Sequence, residues 1–172
     1  MESTSRLSPN ALAFIGLCNE YCHAVEMARE SQQDEFVRSM LRLLPRLYIS
    51  ATDLNVDDRD EVYLESSMDE DFYDAIRRNI EFLMGPEDTY LEVFEEDMKY
   101  SDTPIAASIS ESLADIAQVC YNFIEAIKDS PEDVILDALH VIKEDFASYW
   151  SRILCNVLRA LNNVRYSSST DY

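Results

Sequence analysis

Acidic side chains cluster where the chain turns a corner before a predicted helix. Glu111 and Asp115 are four residues apart in that helix, so their side chains share one face of it. Asp97 and Asp102 precede the same helix. Four carboxylates at one corner could raise one another's pKa values or hold a cation. We favour the simpler interpretation, in which Glu111 and Asp102 cap the helix and stabilise its positive end.

A second set of oxygen ligands lies in the acidic stretch that begins at Asp53. Residues 53, 55, 57, 59 and 61 occupy alternate ligand positions of a calcium-binding EF-hand loop. The match fails at the sixth position, where Asp58 replaces the glycine of the turn, and at the twelfth, where Leu64 replaces the bidentate glutamate. We therefore interpret this stretch as a solvated acidic loop.

Asp137, His140 and Glu144 fall on one strip of a predicted long helix, a spacing compatible with a mononuclear metal site or an acid–base pair. A di-metal centre in a helical bundle needs two Glu-x-x-His pairs and two further glutamates, which this strip does not supply. Lys143 and Ser148 lie close to the same strip. The strip is thus predicted to face solvent as a surface ion-pair cluster.

The cysteines suggest packing rather than metal binding or catalysis. Cys18 and Cys22 share a helix face, but His23 points about 100° away from them. This angle disfavours both a local zinc site and a Cys–His nucleophile pair. Together with Cys120 and Cys155, they are predicted to be reduced core residues.

Composition restricts the class of protein. A chain of 172 residues with 47% hydrophobic content can bury the core of one domain, and only two glycines leave little material for hairpins or phosphate-binding loops. These features predict an all-α protein. No apolar run is long enough for a signal peptide or a membrane span, so we expect a soluble, cytoplasmic protein.

The charge is large, negative and unevenly distributed. The formal net charge is −20, and residues 51–102 hold 18 acidic and 4 basic residues, hence a net charge of −14. Such a surface repels phosphate backbones, which argues against binding to nucleic acids or anionic membranes. The favoured partner is a basic protein.

The helix that holds Glu111 and Asp115 has the clearest sequence signals. Ser108 and Glu111 form a capping box. An apolar stripe follows at spacings of three and four residues: Ile109, Leu113, Ile116, Cys120, Phe123 and Ile127. Ser110, Glu111 and Asp115 are assigned to the opposite, wet face, and Pro104 prevents the preceding segment from being helical throughout.

Four further helices are predicted around it. The first runs from Pro9 to Glu30, and the second starts near Asp34 and is kinked or broken near Leu41 by Pro45. The third begins at Ser67 or Asp69 and ends at Gly85. The last continues without a break from Ser130 to Tyr166. Residues 53–68 form an acidic connector, residues 87–100 are predicted to be irregular with a helical turn, and residues 1–7 and 167–172 are expected to fray. The expected fold is a single-domain, all-α bundle of five to seven helices with a long carboxyl-terminal helix and an acidic, irregular middle.

Several short motifs resemble a known bacterial family. They are Leu43-Leu-Pro-Arg-Leu-Tyr-Ile-Ser-Ala51, Tyr90-Leu-Glu-Val-Phe94, Asp97-Met-Lys-Tyr-Ser-Asp-Thr-Pro-Ile105, Ser110-Glu-Ser-Leu-Ala-Asp-Ile116, Phe146-Ala-Ser-Tyr-Trp150 and Leu158-Arg-Ala-Leu161. The chain resembles domain of unknown function 5063, familiar mainly from Bacteroidales, from about Leu12 to Tyr166. The resemblance implies a helical cytoplasmic domain without an assigned activity.

The sequence favours a non-catalytic interaction or adaptor module with an acidic surface. The candidate surface residues are Asp57, Asp58, Asp60, Glu61, Asp97, Tyr100, Asp102, Glu111 and Asp115. The alternative is a metal-binding protein or metal-dependent enzyme that uses the clustered carboxylates. No catalytic residue or cofactor is assigned. Self-association as a homodimer, through excess apolar surface on the long helix, is a third hypothesis.

Overall fold

The computed structural model describes residues 5–60, 62–92 and 105–167. Its helices are α1 (Pro9–Glu26), which continues as a 3-10 turn (Met27–Glu30), α2 (Gln33–Thr52), α3 (Glu70–Met84), α4 (Ile109–Ile127), α5 (Glu132–Asp145) and α6 (Ser151–Tyr166). A second 3-10 turn (Gly85–Asp88) and two short strands, β1 (Thr89–Leu91) and β2 (Ala106–Ser108), separate α3 from α4. A π-helical segment (Phe146–Trp150) joins α5 to α6. The predicted helical bundle with a long carboxyl-terminal helix is confirmed.

Helix α4 lies at the centre of the bundle and packs against α1, α3, α5 and α6. Its predicted apolar stripe is buried at Ile109, Leu113, Ile116, Cys120 and Phe123. Burying each large side chain of this kind contributes about 1.5–3 kcal/mol to stability. A buried hydrogen bond, 2.6 Å long, adds direction to this packing, because the hydroxyl of Tyr21 in α1 donates to the Leu113 carbonyl.

Local capping signals place the helix ends where the sequence predicts them. Side-chain oxygens of Ser8, Asp69 and Ser108 each accept a hydrogen bond from the backbone amide three residues later. Gly85 ends α3 with a φ angle of 56°, a left-handed conformation that favours glycine.

Pro45 does not break α2. The helix continues from Gln33 to Thr52 with the proline inside it, so the predicted break near Leu41 is absent. Leu43, Leu44 and Leu47 are all buried around the proline. Their packing holds the helix together although Pro45 cannot donate the usual backbone hydrogen bond.

The π-helical segment changes which face of α6 meets the core. A regular helix through this region would place Tyr149 and Ile153 on the same face as the buried Phe146. Instead, Tyr149 is 43% exposed and Ile153 is only half-buried, whereas Trp150 and Leu154 are buried. A π turn takes in an extra residue, so the inward-facing positions shift by one. The same helix leaves Cys155 exposed, so the prediction of a buried thiol is wrong there, while Cys18, Cys22 and Cys120 are buried and free as predicted.

The described residues of the acidic connector, 53–60 and 62–68, are irregular but anchored. Leu54, Val56 and Met68 are buried against the bundle. The side-chain oxygen of Asn122 in α4 accepts hydrogen bonds from the backbone amides of Ser67 and Met68, at 2.9 and 3.0 Å. The connector therefore follows a defined path across the bundle surface.

Of residues 87–100, predicted to be irregular with a helical turn, Thr89–Leu91 instead form a strand of a short antiparallel hairpin, and residues 93–100 lie outside the described residues. Thr89 pairs with Ser108 and Leu91 with Ala106. Directly before β1, the buried Asp88 carboxylate accepts two hydrogen bonds from Ser110, one from its backbone amide at 2.8 Å and one from its hydroxyl at 2.7 Å. Ser110 is 1% exposed, so its assignment to the wet face of α4 is wrong.

Replacing Asp88 by alanine should lower the free energy of unfolding by about 2–3 kcal/mol, because a buried amide and a buried hydroxyl lose the carboxylate that accepts their hydrogen bonds. Urea unfolding followed by circular dichroism measures this loss. Asp88→Asn keeps one oxygen acceptor and should cost less. Equal stability of Asp88→Ala and the wild type would contradict the structural role of this carboxylate.

Candidate functional site

A cleft of about 380 Å³ opens between the hairpin, the first turns of α4 and the start of α6. Three carboxylates line it, from Glu92, Glu111 and Asp115, together with the guanidinium-bearing side chain of Arg152 and the amide of Asn156. Pockets of a few hundred Å³ that bring together a few polar groups are typical of binding sites. This cleft is the strongest candidate site on the described part of the chain.

Hydrogen bonds fasten the hairpin side of the cleft to α6. The backbone amide of Glu92 donates to the Ile105 carbonyl at 2.8 Å and thereby extends the strand pairing by one residue. The Glu92 carboxylate accepts a 2.6 Å hydrogen bond from the Asn156 side chain, and Arg159 donates to the Leu91 carbonyl at 2.6 Å. The Glu92 side chain is thus held in a fixed direction.

The hydroxyl of Tyr90 connects two sides of the cleft. It lies 3.0 Å from the Ser112 hydroxyl of α4 and donates to the Glu92 carboxylate at 3.3 Å. Burial, with a smaller contribution from the charge of Glu92, raises the pKa of Tyr90 to about 12. Tyr90 therefore acts at neutral pH as a neutral hydrogen-bonding group.

Asp115 is a half-buried carboxylate of the cleft. Burial, aided by the negative charge of Glu111, raises its pKa, although the hydrogen bond from Tyr73 opposes the shift. The Tyr73 hydroxyl lies 2.6 Å from the Asp115 oxygen, and burial and this carboxylate raise the pKa of Tyr73. A half-buried carboxylate with a raised pKa is a good partner for a cation, because a positive charge relieves its electrostatic cost.

The structure divides the predicted acidic surface. Glu111 and Asp115 meet in the cleft, as their spacing requires. Asp57, Asp58 and Asp60 lie exposed on the connector, and none of them lines the cleft. The remaining candidates fall outside the described residues: Glu61, Asp97, Tyr100 and Asp102.

The predicted strip of Asp137, His140 and Glu144 is also regrouped. Asp137 pairs with Arg59 of the connector at 2.7 Å. Asp58, the residue before Arg59, lies beside His140 and Glu144, where Asp137 was predicted. One residue of the strip, Asp137, therefore belongs to an ion pair, and the other two belong to a separate cluster of three potential ligands.

Sequence reasoning missed several residues of the cleft. Glu92 lies within the Tyr-Leu-Glu-Val-Phe motif, so a signal for it was present. Tyr73 is 42 residues from Asp115, and Asn156 is 64 residues from Glu92. Neither pairing follows from helix periodicity, which reports only neighbours within one element.

Comparison with known proteins agrees with this architecture. The family model described as Domain of unknown function (DUF5063) matches residues 5–167. The chain belongs to this family. The crystal structure of protein BF1032 from Bacteroides fragilis, a structural genomics target, is similar with a TM-score of 0.81 at 27% identity, over 96% of this chain and 98% of that one. A comparison with curated proteins finds no match.

No described helix of this DUF5063 domain combines the length and the apolar character that a membrane span requires.

Asp115→Asn should stabilise the domain at pH 7 by roughly 0.5 kcal/mol, a small gain because water screens a half-exposed carboxylate. Since the folded-state pKa of Asp115 is raised, its contribution to stability is fully present below its unfolded-state pKa and is lost as pH rises through the folded-state pKa. The stability difference between variant and wild type should therefore shrink toward zero below about pH 4. Urea unfolding across pH measures it.

The matched control for this substitution is Asp57→Asn, which removes the same charge from an exposed position of the connector. It separates the local effect from general relief of charge repulsion in a chain of net charge −20. A gain as large for Asp57→Asn as for Asp115→Asn would contradict the local origin.

Proposed function

We propose that this domain is a non-catalytic protein-interaction module whose cleft binds a cationic side chain of a basic partner. The observation that supports this proposal most directly is the pair Glu111 and Asp115 at the cleft, where burial and mutual repulsion raise the pKa of Asp115. A bound guanidinium or ammonium group would offset the repulsion between these two carboxylates. The partner supplies the compensating charge.

The balance of charge in the cleft favours a cation over an anion. Three carboxylates, from Glu92, Glu111 and Asp115, face one guanidinium, from Arg152. The positive charge of Arg152 also acts on Tyr149, whose pKa is nevertheless raised by burial and by Asp115. The local field is therefore acidic, in agreement with the net charge of the whole chain.

The connector has a different part in this proposal. Asp57 and Asp60 are exposed and lie outside the cleft. Exposed charges of this kind increase the rate of encounter with an oppositely charged partner more than they increase affinity. The cleft supplies specificity, and the connector supplies long-range attraction.

A blocked nonapeptide of alternating arginine and glycine tests the proposal as a probe. In amide-resolved NMR titrations of the full chain, shifts should concentrate on Glu92, Ser112, Asp115 and Asn156. The double variant Glu111→Gln with Asp115→Asn should weaken binding by at least about fivefold, because it removes the charges in contact with the cation.

The control is the double variant Asp57→Asn with Asp60→Asn, which changes the net charge by the same two units away from the cleft. It should weaken binding less than about twofold, since exposed and screened charges contribute little. Equal weakening by both double variants would overturn the cleft as the binding site. A peptide of alternating glutamate and glycine that binds equally well would overturn the preference for a cation.

Two of the four corner carboxylates in the alternative metal-dependent hypothesis, Asp97 and Asp102, lie outside the described residues, so this hypothesis stays a prediction. Self-association through the long helix also stays a prediction. Val134, Tyr149 and Tyr166 are exposed along α5 to α6 and supply apolar surface for it. Light scattering over a concentration series should then show a mass that rises toward twice 19.8 kDa.

A further inference from the structure

Three potential metal ligands from two distant segments meet beside α5. Asp58 belongs to the connector, while His140 and Glu144 are one turn apart on α5. One ligand atom from each residue lies within 4.8 Å of those of the other two. Chain folding, not helix periodicity, brings Asp58 to this place, 82 residues before His140 in the sequence.

The imidazole of His140 has a ring nitrogen whose hydrogen-bonding capacity is unsatisfied. Its Nδ1 atom is fully buried and has no hydrogen-bond partner among the described residues. A buried ring nitrogen without a partner is unfavourable, and native proteins rarely leave such atoms unsatisfied. The other two donors are exposed, so the cluster is open to solvent on one side.

A neighbouring ion pair joins the connector to α5. Arg59 forms a 2.7 Å ion pair with Asp137 and donates to the Asp133 carbonyl at 3.3 Å. The guanidinium of Arg59 is thus directed to Asp137. Within the described ranges, the carboxylates of Asp58 and Glu144 form no ion pair or hydrogen bond, and both lie beside the imidazole.

We propose that Asp58, His140 and Glu144 bind one divalent transition-metal ion. One imidazole nitrogen and two carboxylate oxygens suit the class that includes Zn²⁺, with solvent completing the coordination. Ligands of such ions lie about 2.0–2.2 Å from the metal, so two of them stand at most about 4.4 Å apart. The exposed Asp58 and Glu144 side chains need only small rotations to reach that spacing.

This site is separate from the cleft of the proposed function. Its three residues do not line the cleft, and the cleft residues are not among its ligands. Bound metal would join the connector to α5 at a second point beyond the Arg59–Asp137 pair. Failure of either proposal therefore leaves the other unaffected.

The test is a calorimetric titration of chelator-treated, full-length protein with Zn²⁺. A Cys155→Ser background is used throughout, because the exposed Cys155 thiol could bind zinc by itself. We expect one equivalent to bind, and Asp58→Asn, His140→Gln and Glu144→Gln each to weaken binding by at least about tenfold. Ca²⁺ should not compete at equal concentration, because imidazole disfavours hard cations.

The matched control is His23→Gln, which removes the only other histidine of the chain. His23 is exposed on α1 with Glu20 and Glu26 three residues to either side, so it is a stringent control for adventitious binding by a surface histidine among acids. This variant should bind Zn²⁺ as the background does. Thermal unfolding should confirm that every variant is folded. If His140→Gln does not fold, Asp58→Asn tests the metal site instead, because Asp58 is exposed and its substitution should not disturb folding.

Three outcomes would overturn the metal site. They are an affinity unchanged by the substitutions at Asp58 and Glu144, an affinity that falls equally with His23→Gln, and the absence of binding at millimolar Zn²⁺. A complementary measurement is the imidazole NMR signals of the two histidines, in which Zn²⁺ should shift His140 at one equivalent and leave His23 in place.

Discussion

The buried carboxylate of Asp88 connects the hairpin to the central helix of the bundle. It is 6% exposed, lies directly before β1 and accepts both hydrogen bonds from Ser110 in the first turn of α4. Its negative charge also lies at the positive end of that helix. Because Asp88 fixes where β1 begins, it fixes where Glu92 meets Asn156 and hence one wall of the cleft.

The other wall depends on the π-helical segment between α5 and α6. The extra residue turns Trp150 into the core, where its ring packs at 4.6 Å from Phe146 and 6.5 Å from Phe14, measured between ring centroids. The indole nitrogen also donates to the Ile142 carbonyl at 3.3 Å. A one-residue shift rotates the following helix by about 100°, so the same feature that buries Trp150 sets the direction in which Arg152 and Asn156 face the cleft.

Local sequence signals predicted much of the fold, because their causes are local. Asp69, Ser108 and Gly85 act on backbone groups within a few residues, and each marks a helix end at a position that the sequence indicates. The hairpin was not predicted, because its strands are only three residues long. Their pairing also depends on the hydrogen bonds between Asp88 and Ser110, which are 22 residues apart in the sequence.

Less of the candidate site could be predicted, for the same physical reason. The periodicity of α4 predicted that Glu111 and Asp115 share a face, and the cleft uses that face. The hydrogen bond from Tyr73 to Asp115 and the approach of Asp58 to His140 arise from packing between elements, on which single-chain periodicity is silent. The π turn could not be predicted from the sequence either, because an apolar stripe that places Tyr149 inside also fits a regular α-helix.

The fold alone does not assign a function, and a large negative charge attracts any cation, so selectivity has to come from local geometry. In the cleft, Asn156 and Tyr73 hold the carboxylates of Glu92 and Asp115 in fixed directions. Oriented oxygens suit the directional N–H donors of a guanidinium or ammonium group. Beside α5, by contrast, exposed carboxylates can rotate onto an ion, and the ring nitrogen of His140 supplies the donor that transition metals prefer over hard cations. Two acidic places on one domain therefore differ in chemistry because one orients its oxygens with hydrogen bonds and the other adds a nitrogen.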